Sequence, residues 1–322
     1  MRRLGCLGLI VALLLFGAGV WVAQGWKGAG PLRRDATVTV AEGSSLAGAA
    51  TALERAGVIA SARRFRLQAR LFGSATPIRA GEYAISARAS ASQVLALLQS
   101  GKVVQRLVVI PEGLPAVMVR DVLLRADALS GDVAAPAEGS VLPDGYAFER
   151  GEPRAAVLAR MQRAMRDYLA AAWKRRRPTS AVTTPQQALV LASIVEKETG
   201  KPAERRMVAA VYSNRLRLGM PLQADPTVIY PITKGRPLGR RIRQSELHAK
   251  NGYNTYASTG LPVGPIANPG RLSIDAVLDP APSRALYFVA DGSGGHVFAD
   301  TLEQHNANVK RWFAIRRTRG EM

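Results

Sequence analysis

The stretch TTPQQALVLASIVEKETG, residues 183–200, decides how the second half of the chain folds. Thr184 followed by Pro185 is typical of a helix start, because a threonine hydroxyl caps free backbone N–H groups and proline fits the first helical turn. Gly200 predicts the end of that helix. Since most residues between these points are apolar on every face, the sequence predicts a helix enclosed by a hydrophobic core.

This apolar helix ends in two acids, Glu196 and Glu198. At about 100° per residue, Glu196 shares a face with Ala192 and Ser193, whereas Glu198 points nearly the opposite way. The two acids therefore do not form a close pair, which argues against a two-carboxylate hydrolase built from this helix alone. An acid in an apolar wall can serve as a general acid. The alternative is a structural glutamate that pairs with an arginine or caps a neighbouring element.

The composition indicates a folded, strongly basic chain. Its 322 residues carry a formal net charge of +20, and 48% of them are hydrophobic. This balance favours contact with nucleic acid, anionic lipid or an acidic polymer, although an arginine-rich composition alone would give the same charge. Because Cys6 is the single cysteine, neither an intrachain disulfide nor a cysteine-based metal site can form. The three histidines lack metal-ligand spacing, so we expect no metal and no cofactor.

The N-terminus predicts a membrane anchor. Residues 4–26 contain no charge, and a helix needs about 20 residues to cross a bilayer. Trp21 and Trp26 lie where an interfacial aromatic belt is expected, and two N-terminal arginines favour a cytoplasmic tip. A cleaved signal peptide is the alternative. We interpret residues 1–27 as the cytoplasmic tip and an uncleaved single-pass anchor, with the bulk of the chain beyond the membrane.

Periodicity and turn signals divide the remaining sequence into three parts. A Gly/Pro linker over 28–35 precedes a strand, two helices, a strand, a helix and a strand over 36–110. Residues 111–322 contain longer helices, then loops rich in Gly, Pro, Asn and Tyr, and a hairpin signal at 284–300. The predicted fold class is α+β: a transmembrane helix, a small α+β subdomain and a larger mixed α/β domain.

Four long motifs in the second half resemble the endolytic murein transglycosylases, also called YceG-like proteins. They are LASIVEKETG (191–200), RLRLGMPLQADPTVIY (215–230), YNTYASTGLPVGPIANPG (253–270) and YFVADGSGGHVFADTLEQHN (287–306). The resemblance extends to the anchor and to a LysM-like unit within 36–110, so it covers nearly the whole chain. One departure is Gly145 in LPDGY, where the family commonly has threonine.

The resemblance implies a lytic transglycosylase, a carbon–oxygen lyase acting on peptidoglycan strands. Such enzymes cleave the β-1,4 bond between N-acetylmuramic acid and N-acetylglucosamine within a strand and leave a 1,6-anhydro end. The family's catalytic glutamate matches Glu196, in the motif SIVEKE. One acid suffices, because the muramyl 6-hydroxyl supplies the nucleophile. The resemblance also implies a single-pass inner-membrane protein with its catalytic domain (111–322) in the periplasm, associated with peptidoglycan synthases.

Polar residues of the C-terminal loops are predicted to line the substrate cleft. Amide and hydroxyl side chains beside aromatic faces suit sugar rings. The candidates are Gln223, Asp225, Asn254, Tyr256 and Asn268. Each also suits loop scaffolding, since Asp-Pro and Asn-Pro are ordinary turn starters. We interpret Glu198 as a structural partner of one of the arginines that follow, Arg205 or Arg206.

Three other functions stay open at this point. A non-catalytic, membrane-tethered peptidoglycan-binding module would explain the LysM-like unit but not an acid in an apolar helix. Hydrolysis of the same bond is compatible with the same residues. Nucleic-acid binding would fit the charge of +20, but no helix-turn-helix, zinc or RNA-binding signature accompanies it. We therefore expect no nucleic-acid partner.

Overall fold

The structure is a computed structural model that describes residues 13, 16, 17 and 19–320. Of the 23 residues of the predicted anchor (4–26), 11 belong to this described part, and all 11 are helical. None of the helices in this described part is both long enough and apolar enough to span a bilayer.

The chain forms a mixed α/β fold, as the sequence predicts, with its strands in two-stranded sheets. It divides into two compact units. The first extends to Arg106 and includes Ala147–Gly151, and the second comprises Leu107–Tyr146 and the chain from Glu152 onward.

The first unit follows the predicted order of strands and helices. Its elements are β1 (Ala36–Val40), α1 (Leu46–Arg55), α2 (Ala62–Phe72), β2 (Gly81–Ile85), α3 (Ala91–Ser100) and the start of β3 (Gln105–Val109). β1 and β2 pair antiparallel with Val38 opposite Tyr83, and both side chains are buried. A serine hydroxyl caps the start of each helix, as at Ser90, where the capping box is complete. Local capping and turn chemistry therefore set the helix limits here.

The second unit contains the longer helices. Its elements are α4 (Ala116–Arg125), the start of β4 (Gly145–Glu149, pairing with β3), α5 (Arg154–Lys174), α6 (Pro185–Glu198), a 3₁₀ turn (Pro202–Glu204), α7 (Arg205–Arg217), α8 (Asp225–Thr233), α9 (Gln244–Leu247), α10 (Arg271–Leu278), β5 (Tyr287–Ala290), β6 (His296–Ala299) and α11 (Leu302–Thr318). β5 and β6 form the predicted antiparallel hairpin.

Helix α6 is the centre of this unit, and its predicted start is confirmed. The Thr184 hydroxyl accepts a hydrogen bond from the Gln187 N–H at 3.1 Å, and Pro185 is the first helical residue. The eight residues 188–195 are all buried, and α6 packs against α7 and α10. The helix ends at Glu198 with Thr199 as its cap, one residue before the glycine. Both acids, Glu196 and Glu198, therefore lie in the last turn of a helix that the core encloses.

Candidate functional site

Glu196 lies in the last turn of α6 with its side chain only 5% exposed. One carboxylate oxygen accepts a hydrogen bond from Arg205 Nη2 at 3.1 Å, and the other accepts one from the Gly270 backbone N–H at 2.9 Å. Each oxygen thus has its own donor, one charged and one neutral. The surroundings of Glu196 are therefore more polar than the apolar wall that the sequence predicts, and the carboxylate is held in one orientation.

Arg205 joins this acid to a second one. It is the buried first residue of α7, and its Nε donates to the Ser273 hydroxyl at 3.1 Å. The nitrogen that bonds Glu196 also donates to Glu112 Oε2 at 3.2 Å. A planar guanidinium can satisfy several acceptors in fixed directions, which a lysine cannot do. The result is a Glu112–Arg205–Glu196 cluster, with Glu112 at its exposed side.

Two glycines let the loops approach this cluster. A Cβ atom on Gly270 would lie 1.9 Å from Glu112 Oε1, so a larger residue there would displace that carboxylate. Gly113 has φ +72°, a left-handed conformation that favours glycine, and a Cβ on it would contact the Glu196 side chain at 3.4 Å. The Gly113 N–H donates to the Asn268 carbonyl at 2.9 Å, which ties the two glycine loops together.

A cleft of about 480 Å³ opens beside the cluster. Glu112, Gly113 and Lys197 form its border with the Glu196 site. The remaining lining residues are mostly apolar: Leu114, Pro115, Met118, Pro226, Ile229, Gly235, Arg236, Pro237, Leu238 and Ile266. A few polar groups at one edge of an apolar cleft are typical of ligand sites. Glu112, with 42% of its side chain exposed, is the carboxylate of the cluster that a ligand in this cleft would meet first.

A third acid, Glu138, lies near the same loops. Burial raises the pKa of Glu138 to about 6, although hydrogen bonds from the Ala116 N–H at 2.9 Å and from the Tyr230 hydroxyl act to lower it. The Asn268 amide donates to the same carboxylate at 3.4 Å. Glu138 therefore braces the loop before α4, and its charge changes within a mildly acidic range.

Glu198 occupies separate surroundings, as helical geometry predicts. Burial raises its pKa to about 7, a shift that a hydrogen bond from the Tyr212 hydroxyl opposes. Its hydrogen-bond partner is therefore Tyr212 and neither of the two predicted arginines, because Arg205 bonds Glu196 and Arg206 bonds Asp279 at 3.0 Å, while the charge of Arg215 lowers the pKa of Glu198. The negative charge of Asp225 also raises the pKa of Glu198.

Three of the five predicted cleft residues lie near Glu198: Asp225 and Tyr256 interact with it electrostatically, and Gln223 is bonded to Arg215, which also does. The Tyr256 hydroxyl donates to Asp225 Oδ1 at 2.6 Å, and Arg215 donates to Gln223 Oε1 at 3.4 Å. Gln223 has φ +53°, an uncommon conformation for a residue other than glycine, and such strain is often found at functional sites. This polar group stays a predicted substrate contact.

The two predicted asparagines are buried and bonded to backbone groups. The Asn268 amide donates to the Leu114 carbonyl at 2.8 Å, and its oxygen accepts from the Val141 N–H at 2.9 Å. The Asn254 amide donates to three backbone carbonyls, and its oxygen accepts from the Tyr256 N–H at 2.9 Å. Their substrate contact stays a prediction, while the geometry gives both a bracing role.

Sequence reasoning did not single out Glu112, Glu138, Arg205 or Gly270 as site residues. Glu112 and Glu138 each precede a glycine with positive φ, so an acid directly before a glycine in a short loop is a sequence pattern that could have identified both residues. No comparable signal marks Arg205, which is one of many arginines. Among the described residues, no group of three His, Cys, Asp or Glu side chains is arranged to hold a metal ion.

Comparison with known proteins places these features in a family. The model of the YceG-like family matches residues 38–311. An endolytic murein transglycosylase of Bacillus subtilis is 32% identical over 188 residues, which cover 58% of this chain and 51% of that protein. One from Streptococcus pneumoniae is 27% identical over 322 residues, covering 85% of this chain and 57% of that protein. The chain thus spans about half the length of the curated relatives it matches.

A solved structure gives the same result for the fold. The crystal structure of a yceG-like protein from Listeria monocytogenes has a TM-score of 0.52 and 28% identity to this chain. The match covers 85% of this chain and 98% of that one. With the family model matched over most of its length, the chain belongs to the YceG-like family.

Proposed function

We propose that this protein is an endolytic lytic transglycosylase that cuts peptidoglycan strands. The observation that carries the proposal is the position of Glu196, a nearly buried carboxylate held by Arg205 and Gly270 beside an open cleft. Glu196 is also the residue that the motif resemblance matches to the family's catalytic acid. Two curated relatives bear the name endolytic murein transglycosylase, which supports the same activity.

In the proposed reaction, Glu196 acts first as acid and then as base. It gives its proton to the glycosidic oxygen as the bond from muramyl C1 breaks, and positive charge develops at C1. The resulting carboxylate then removes the proton of the muramyl 6-hydroxyl, whose oxygen bonds to C1. The products are a new N-acetylglucosamine end with a free 4-hydroxyl and a 1,6-anhydro-muramyl end. No water is consumed, so no second carboxylate is required to activate one.

The neighbours of Glu196 have defined roles in this scheme. Arg205 and the Gly270 N–H orient the carboxylate, since each holds one of its oxygens. Glu112 shares the Arg205 nitrogen and borders the cleft, so its negative charge is available to the positive charge developing on the sugar. The proposal thus assigns orientation to buried donors and electrostatic stabilisation to an exposed acid.

The proposal includes a compartment and a second binding unit. The uncharged segment 4–26 is proposed to anchor the chain in the inner membrane by a single pass, with both units in the periplasm. The unit over 36–110 is proposed to be LysM-like and to bind glycan strands. A groove of about 500 Å³ beside Ser45, Thr76 and Gln99 supports this role, because hydroxyl and amide groups suit sugars. Peptidoglycan synthases are proposed as partners.

Mass analysis of digested sacculi tests the reaction. The full-length protein in detergent should release muropeptides that end in anhydro-muramyl groups, one water lighter than hydrolysed ends. The Glu196→Gln variant should release neither product while remaining folded by circular dichroism. Hydrolysed ends would replace the transglycosylase proposal by a hydrolase. Binding to sacculi without any product would favour the non-catalytic binding module instead.

A further inference from the structure

One face of helix α2 carries exposed arginines and leucines together. At 100° per residue, Arg63, Arg66, Leu67, Arg70 and Leu71 fall within an arc of about 140°. Leu67 is 55% exposed and Leu71 is 62% exposed, and the three arginines are exposed as well. We call these five residues the α2 face. No acidic residue is present anywhere on α2.

The fold of the first unit does not use the α2 face. The opposite side of the helix packs into the core through Phe65, Gln68 and Ala69. Within the described part of the chain, none of the three arginines of the α2 face pairs with an acid. On this exposed arc the three arginines lie side by side and the two leucines follow them. Such a face resembles a helix that lies in a membrane interface, where arginines reach headgroups and leucines enter the acyl boundary.

The helical segment 19–27 is fixed to the same helix. The Arg64 guanidinium stacks on the exposed Trp21 ring with its Cζ 3.9 Å from the ring centre, and Gln68 donates to the Val22 carbonyl at 3.0 Å. Trp26 packs against Phe72 with a centroid distance of 6.3 Å. The end of the long uncharged segment therefore lies against α2, and the chain leaves the first unit through this contact.

We infer that the α2 face docks on the anionic surface of the bilayer that holds the N-terminal anchor. The inference depends on the anchor proposed above and not on glycan cleavage. Continuity with the uncharged segment and Trp21 favours a bilayer as the occupant, because that segment enters the membrane beside α2. The three arginines favour anionic over neutral lipid. The contact sets the orientation of the first unit on the membrane.

Fluorescence of the full-length protein in lipid nanodiscs tests this contact. In a Cys6→Ser background, Leu67→Cys carries an environment-sensitive label, and the discs contain phosphatidylcholine alone or mixed with phosphatidylglycerol. We expect a blue shift and quenching by brominated lipid in the anionic discs, both weakened by salt. Replacing Arg63, Arg66 and Arg70 by glutamine should lower the ratio of docked to undocked label by about fivefold per arginine. The matched triple lysine variant should keep the docking.

Each contrary result identifies what fails. A label that stays in water in both kinds of disc would overturn the docking, as would a blue shift that the triple glutamine variant retains. A label that becomes buried only when an acidic protein is added, and not with anionic lipid, would assign the α2 face to a protein partner and overturn the inference. Failure of the chain to co-elute with discs would overturn the anchor together with this contact. Sacculus digestion would report separately on the proposed enzyme.

Discussion

Glu196 and Glu198 lie two residues apart on one helix, yet the two sides of α6 give them different chemistry. On one side, Glu196 is bonded by the Arg205 guanidinium and a backbone N–H next to an open cleft. On the other side, Glu198 is enclosed beside the Tyr212 hydroxyl, and burial raises its pKa to about 7. The helical repeat puts the two acids on opposite sides of α6, and the surroundings on each side decide the role of each acid.

The difference teaches that a pKa raised towards neutrality does not by itself identify the acid that reacts. A raised pKa near neutrality is a frequent property of catalytic acids, and it would favour Glu198. Geometry favours Glu196, because its cluster reaches the cleft through Glu112 and Gly113. A reacting group must first come within hydrogen-bonding reach of the substrate, and only then does its pKa matter.

The largest effect is expected when the two acids are replaced one at a time by glutamine. Glu196→Gln should lower the rate of anhydro-muropeptide release by about 10²- to 10⁴-fold, the usual contribution of a general acid and base. Glu198→Gln should retain most of the activity, since Glu198 does not line the cleft beside Glu112 and Gly113. Both rates are measured on sacculi with proteins shown to be folded. The reverse ranking would transfer the catalytic role to Glu198.

The next effect concerns the cation that holds Glu196. Arg205→Lys keeps the charge but cannot reach Ser273, Glu112 and Glu196 at once. We expect turnover to fall by about 10- to 100-fold, because misplacing a reacting group by about 1 Å has an effect of this order. Arg206→Lys is the matched control, because Arg206 is the next residue in the chain and its half-exposed side chain bonds Asp279, away from Glu196. Equal activity of the two variants would contradict the positioning role of Arg205.

A smaller effect is expected at the glycine that lets Glu112 approach. Gly270→Ala would place a methyl group 1.9 Å from the present position of Glu112 Oε1. The Glu112 carboxylate, which is flexible, would therefore have to move. We expect activity to fall by about tenfold. Gly200→Ala is the control, because a Cβ there meets nothing within 4 Å. In a Glu112→Ala background, Gly270→Ala should cause little further loss of activity. If the double variant instead lost the full additional factor of about ten, the effect of Gly270→Ala would not act through Glu112.

Local patterns predicted much of this molecule because their causes are local. The start of α6 follows from a hydroxyl and a proline at adjacent positions, and the β5–β6 hairpin follows from two strands around a glycine-rich turn. The opposite directions of Glu196 and Glu198 follow from the helical repeat alone. These features need no knowledge of the rest of the fold.

The site could not be predicted in the same way, because its contacts join distant parts of the chain. Gly270 lies 74 positions from Glu196 in the sequence, and Arg205 lies 93 positions from Glu112. The interpretation of Glu198 as a partner of Arg205 or Arg206 was wrong, because the 3₁₀ turn Pro202–Glu204 leads into α7 with Arg205 on the Glu196 side and Arg206 bonds Asp279. Nor does sequence distinguish an asparagine that faces solvent from one such as Asn268, whose amide satisfies backbone groups.

The smallest effect on activity, and the clearest effect on stability, is expected from Glu198. Its pKa is raised from an ordinary value of 4.5 to about 7, so the folded protein holds this proton more tightly than the unfolded chain does. The stabilising contribution of the protonated acid is complete below pH 4.5 and is lost as pH rises through 7. The shift corresponds to about 3 kcal/mol, since one pKa unit is worth about 1.4 kcal/mol.

Urea unfolding of wild type and Glu198→Gln across this range measures that contribution. Relative to wild type, the free energy of unfolding of the glutamine variant should rise by about 3 kcal/mol between pH 4.5 and 8, because glutamine has no charge to bury. Glu138, with a pKa of about 6, is present in both proteins, so its own titration cancels from the difference, which belongs to Glu198. Parallel stability curves would mean that Glu198 is solvated, and the contrast between the two sides of α6 would then rest on hydrogen bonding alone.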